Sequence, residues 1–170
     1  MMQRLPAPDL RMNTAETYFH AERWGGLMFV AVAVTAIAVA AWTWRHSAFW
    51  RGAAGPLVLA ALVQLGVGGS VWWRSPQDLA RVQHIVANER VRLGIEEIPR
   101  MQVVMNEFAR NRWIEFALAA AGILLVILAP QSSVWQGAGA GLAVQAAMIF
   151  LLDGSAERRA AGYLSWLQSL

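Results

Sequence analysis

The sequence contains no cysteine and no lysine. The first absence excludes a disulfide scaffold, a thiolate-bound metal or iron–sulfur cluster, and a cysteine nucleophile. The second excludes a lysine Schiff base and a phosphate-loop lysine, because all fourteen basic residues are arginine. Charge is scarce too: 15% of the 170 residues carry one, against about a quarter in an ordinary soluble domain. The patterns GxGxxG, GxxxxGK(S/T), GxSxG and HExxH do not occur. Too little of the chain lies outside apolar runs to build a separate soluble catalytic domain.

Apolar residues fill the space that charge leaves. They make up 57% of the sequence, and the mean hydropathy is +0.40. The net charge of +3 does not point to nucleic acid, which needs a basic patch on a folded surface. Here the arginines flank apolar runs instead, and no nucleic-acid partner is expected.

Four runs are long enough to cross a bilayer, at residues 24–44, 52–73, 113–129 and 134–152. Pro130 stops the third, and Asp153-Gly154 is expected to close the fourth. Ala38-Val39-Ala40 resembles a signal-peptidase site, but about two dozen mixed-charge residues precede the first run. It is therefore read as a retained span. Twelve arginines fall on one side: Arg4, Arg11, Arg23, Arg74, Arg81, Arg90, Arg92, Arg100, Arg110, Arg112, Arg158 and Arg159. Only Arg45 and Arg51 fall on the other. That bias predicts an integral protein of a bacterial inner membrane with both termini cytoplasmic. Eight of the nine tryptophans sit near span ends, as an interfacial belt would.

Residues 75–112 are expected to form a cytoplasmic helical hairpin. Ser75-Pro76-Gln77-Asp78 reads as a helix start and Gly94 as a stop with a Schellman cap. The second arm carries Met101, Val104, Met105 and Phe108 on one face, a candidate surface for a protein partner. A helix is expected to start at Asn13-Thr14-Ala15-Glu16 and run into the first span. The tail places Ala160, Tyr163, Leu164, Leu167 and Leu170 on one side and is expected to lie in the membrane interface. The fold expected is thus an all-α integral membrane protein, one domain over residues 1–170.

Thr35, Gln64 and Gln145 fall near the centres of three spans and are read as one polar layer, lining a path or fixing the packing. Gly66, Gly122, Gly137 and Gly141 are candidate close-packing positions. Glu115 is the one acid inside a span. Arg112 and Asn111 precede it on the same helix, and with Glu107 and Arg110 they are read as an ion-pair ladder. Glu16, His20 and His84 form a weak candidate metal set, and no metal or other cofactor is expected. The hairpin arginines either hold an anionic ligand or pair with Glu89, Glu96, Glu97 and Glu107.

These features favour a non-enzymatic membrane protein that binds or assembles, as a homo-oligomer or as a subunit of a larger complex in the lipid bilayer. The alternative is a small oligomeric transporter or channel using Thr35, Gln64 and Gln145, with Glu115 and Arg112 at its mouth. A third reading is a lipid-acting enzyme using His20, His84, Glu107 or Glu115.

Overall fold

A computed structural model of the chain describes residues 8–88 and 91–169. The expectations for Arg4, Glu89, Arg90 and Leu170, and for the side chain of Arg11, lie outside the described residues. Four helices follow one another: α1 (Pro8–Thr43), α2 (Ala48–Asn88), α3 (Ile98–Leu128) and α4 (Val134–Gln168). Each is long and apolar enough to cross a membrane. They alternate in direction, so the arginine-rich segments gather at one end, here called the basic end. α1 packs on α2, α2 on α4 and α4 on α3, while α1 touches α4 more lightly.

Each helix is longer than its apolar run, because one buried stripe continues past every local stop signal. Along α1, Phe19, Gly26, Ala33 and Ala40 are buried. The stripe is Ala61, Gly68, Ser75 and Val82 in α2 and Met101, Glu115 and Gly122 in α3. In α4 it is Gly139, Ala146, Ala160 and Leu167. These positions fall seven residues apart or at multiples of seven, the spacing of left-handed helix packing.

The expected segment boundaries are corrected accordingly. α1 is already helical from Pro8, not from Asn13. Ser75 starts no helix: its hydroxyl turns back onto the Val71 carbonyl at 2.6 Å, and α2 runs through Pro76. Gly94 ends no helix, since a π-helical turn at Leu93–Glu97 passes through it. No described glycine has a positive φ, so the Schellman cap is absent among the described residues. Asp153-Gly154 does not break α4. The expected hairpin is therefore the continuation of α2 and α3, joined there by the ends of α1 and α4. The α4 tail also packs inward, with Ala160, Tyr163 and Leu167 each at most 2% exposed. Pro130 does stop α3: Ala129 before it is extended, as the proline ring requires.

The two halves of the molecule pack by opposite rules. At the basic end large side chains point inward, in a core of Phe19, Val82, Ile85, Leu93, Met101 and Tyr163. In the apolar half the α1–α2 interior is built mainly of alanines 33, 36, 40, 54 and 61. There the large apolar side chains, among them Leu59, Leu62, Ile123, Ile127 and Leu151, are exposed. Burying large groups lowers free energy where water surrounds the protein. Where lipid does, small residues inside let backbones approach instead.

Candidate functional site

At the basic end the four helices enclose a cavity of about 200 Å³. Charged side chains reach it from every helix: Glu22 from α1, Arg74 from α2, Glu107 from α3, Asp153 and Arg159 from α4. Asn111 also lines it. Arg74 approaches Glu22 at 3.8 Å, and Arg159 donates to the Ser155 hydroxyl at 3.3 Å. Two glycines make the room. A Cβ on Gly25 would stand 2.7 Å from the Arg159 guanidinium, and one on Gly26 2.7 Å from the Gly68 carbonyl oxygen. Such a volume is several times what one ordered water needs.

Beyond this cavity, on its far side, Glu115 of α3 meets Asp153 of α4. Glu115 is 6% exposed, and its carboxyl lies beside that of Asp153. Two carboxyls held this close repel one another when both are ionised, which favours a proton between them. Arg112 does not neutralise Glu115; it reaches across to pair with Glu157 of α4. The ladder expected along one helix is thus replaced by contacts between helices, with Glu107 turned into the cavity and Arg110 exposed.

Deeper in the apolar half, the Gln145 side-chain amide donates to the Gln64 carbonyl at 2.7 Å. Both residues are 2% exposed. Thr35 does not join this layer, because its hydroxyl is held by its own Ala31 carbonyl at 2.9 Å and the residue is exposed. It lines, together with Gln145, an apolar groove of about 500 Å³ between α1, α2 and α4. Replacing Gln64 alone by leucine is expected to cost about 1–2 kcal/mol, since it strands the Gln145 amide. Adding Gln145→Leu should recover most of that loss. Thermal unfolding of the two single variants and the double variant measures the coupling.

Gly122, Gly137 and Gly141 stand at helix crossings, against Gly139, Phe49 and Ala53 respectively. Gly66 does not: nothing lies within 4 Å of where its Cβ would be. Gly68, two residues on, takes that role against Gly26. Met101 is fully buried, and Val104, Met105 and Phe108 pack against the same core. Met101 faces the chain's own interior, while Val104, Met105 and Phe108 stay partly exposed. Glu16 accepts a hydrogen bond from Gln83 at 2.9 Å, while His20 and His84 are exposed. The described residues contain no group of three or more side chains able to hold a metal ion. The hairpin arginines pair internally: Arg81 with Asp78 and Glu97, Arg92 with Glu96, Arg100 with Glu97.

Glu97 is the best-held charge among the described residues. It is fully buried and accepts from Arg81 at 3.1 Å, Arg100 at 2.5 and 3.0 Å, and the Tyr163 hydroxyl at 3.3 Å. Burial pushes its carboxyl up, but the hydrogen bonds and charge of Arg100, then Arg81, outweigh that and hold it below the usual range. No local motif singles out Glu97 or Asp153, and Glu22 and Arg159 are equally inconspicuous. No family model matches the chain, and comparison with curated proteins and with solved structures finds no match.

Proposed function

We propose that this chain is a non-enzymatic integral membrane protein of a bacterial inner membrane that acts by binding and assembly. Its termini and basic end face the cytoplasm, and its ligand enters the cavity where the four helices meet. The observation that carries this reading is that cavity, lined by Glu22, Arg74, Glu107, Asp153 and Arg159 from four different helices. Helices that cross a membrane pack closely where nothing has to be admitted. Here five ionisable groups instead line open space next to the apolar half. Glu22 and Asp153 are partly buried there, and a polar ligand offsets the cost of withdrawing them from water. The inversion of packing between the two halves supports the placement of the bilayer, and the arginine bias supports its direction. Assembly is either with further copies or with other membrane subunits, and the broad apolar exposure of α3 leaves room for it.

Native mass spectrometry of the gently extracted protein tests this proposal. Wild-type chain is expected to retain a small polar molecule that Arg159→Gln and Glu107→Gln lose while staying folded. The same masses in wild type and both variants would contradict a ligand in the cavity. A second reading, a small oligomeric transporter, draws on one observation: the buried Gln64 amide nitrogen has no acceptor among the described residues. An amide left open beside a solute path has that appearance.

A further inference from the structure

The outer side of the α3–α4 pair carries a second concavity, a cleft of about 660 Å³. Phe108, Phe116 and Phe150 line it together with Glu115 and Asp153. The Arg112–Glu157 ion pair and Arg158 line it as well. The Phe116 and Phe150 rings lie 5.2 Å apart and tilted, so they form a continuous aromatic wall. The Glu115 oxygen Oε1 is buried, and no N–H or O–H among the described residues donates to it. A carboxyl oxygen so deeply placed, with no donor of its own and with aromatic rings beside the cleft, matches the chemistry that holds organic cations.

We propose that this cleft binds an amphiphilic organic cation, its ammonium group against Glu115 and Asp153 and its apolar body along Phe116 and Phe150. The cation enters in exchange for the proton the two carboxyls share. The proton leaves to solvent, and the charge of the site is unchanged. A bare metal ion fits less well, because one carboxyl pair among phenyl rings supplies too few oxygens. The ammonium of an ethanolamine phospholipid fits less well for a reason of depth. Glu115 lies three residues beyond Arg112, about 4.5 Å further toward the apolar half. A phospholipid carries its phosphate between its chains and its amine, so its ammonium sits further out than its phosphate. A cation bonded directly to its apolar body reaches the carboxyls without that inversion.

The exchange depends on pH, and the charges around the pair set where. Arg112 on α3 and Glu157 on α4 act on it directly. Across the cavity that Asp153 also lines stand Glu22 of α1, Arg74 of α2, Glu107 of α3 and Arg159 of α4. Because the bound form has lost a proton, affinity rises with pH, by up to about tenfold per pH unit for one proton released.

Isothermal titration of the protein in dodecyl maltoside with dodecyltrimethylammonium tests the site, run in two buffers of unlike ionisation enthalpy to count protons. Wild type is expected to bind with release of one proton. Glu115→Gln should weaken binding at least tenfold and abolish the release. Asp153→Asn serves the same purpose if Glu115→Gln does not fold. Gly66→Leu, at a position that lines neither the cavity nor the cleft, is the control that keeps the binding. Loss of a cavity ligand in Arg159→Gln is read separately, so the result stands apart from the fate of the cavity proposal. Equal binding by wild type and both carboxyl variants, equal binding of uncharged dodecanol, or binding without proton release would each overturn the proposal. Displacement of the amine by phosphatidylethanolamine would place a lipid headgroup in the cleft and overturn the choice of a free amphiphile.

Discussion

Gly137→Leu is expected to destabilise the protein by about 3 kcal/mol or more, while Gly66→Leu leaves stability within about 0.5 kcal/mol. The two glycines look alike in the sequence, both in apolar runs rich in small residues. They differ in what a side chain would meet. At Gly137 a Cβ would lie on the Phe49 carbonyl oxygen and 3.0 Å from the Ala53 nitrogen. The contact is reciprocated at Gly52, whose Cβ would lie on the Val134 carbonyl oxygen. These are backbone atoms of a helix, so no rotamer change relieves the clash, and α2 and α4 must separate as bodies. In lipid that separation is not repaired by hydrophobic collapse, because tails and side chains are equally apolar. At Gly66 the space is open, and leucine there gains helix propensity. Gly55 is open in the same way and serves as a second control. Thermal unfolding in detergent measures all three, and equal losses at Gly137 and Gly66 would contradict the observed α2–α4 contact.

Glu97→Leu is expected to cost about 3–5 kcal/mol and to loosen the basic end while the apolar helices stay paired. The carboxylate is the common acceptor for two arginines and a tyrosine in a core that excludes water. Removing it strands cationic donors beside Phe19, Met101 and Tyr163, which is more costly than never having charged the site. Because its folded-state pKa is lowered, Glu97 stabilises the fold fully above its unfolded value, near pH 4.3. The contribution is lost as pH falls through the lower, folded value. Wild type should therefore lose protection of the α2–α3 turn region below about pH 4, whereas Glu97→Gln should lack this acid step. Hydrogen exchange of residues 79–86 and 98–108 against pH measures it.

The four apolar runs and the gathering of arginine at one end were legible in the sequence, because composition over twenty residues outweighs any local signal. Helix ends were not. Ser75-Pro76, Gly94 and Asp153-Gly154 each carry sound capping or breaking chemistry, and each is overridden by packing on a stripe that recurs every seven residues. That stripe is itself in the sequence. Extending Gly139 and Ala146 by seven reaches Asp153, then Ala160 and Leu167, and extending Met101 reaches Phe108, Glu115 and Gly122. Followed through the apparent breaks, it places Asp153 inside the bundle at the level of Glu115. The Gln64–Gln145 contact was legible from depth alone, whereas Thr35, at the same depth, bonds its own helix and shares only a groove with Gln145, because depth does not fix the face. Gly66 and Gly68 differ in the same way, by two residues of helical rotation. Glu97 was hidden by composition: an acid among arginines and glutamates reads as solvated surface until the π-turn is known to bury it.

Every reading of the site depends on where the bilayer lies along the helices and which way it faces. The chain lacks cysteine, so single cysteines report without background. Ser47→Cys and Gln131→Cys stand in the turns opposite the basic end, and Ala87→Cys and Gln168→Cys stand at the basic end, all at exposed positions. With a membrane-impermeant maleimide on intact cells, positions 47 and 131 are predicted to label, and positions 87 and 168 only after the membrane is opened. Labelling of 87 and 168 in intact cells, or protection of 47 and 131, would contradict four spans with a cytoplasmic site.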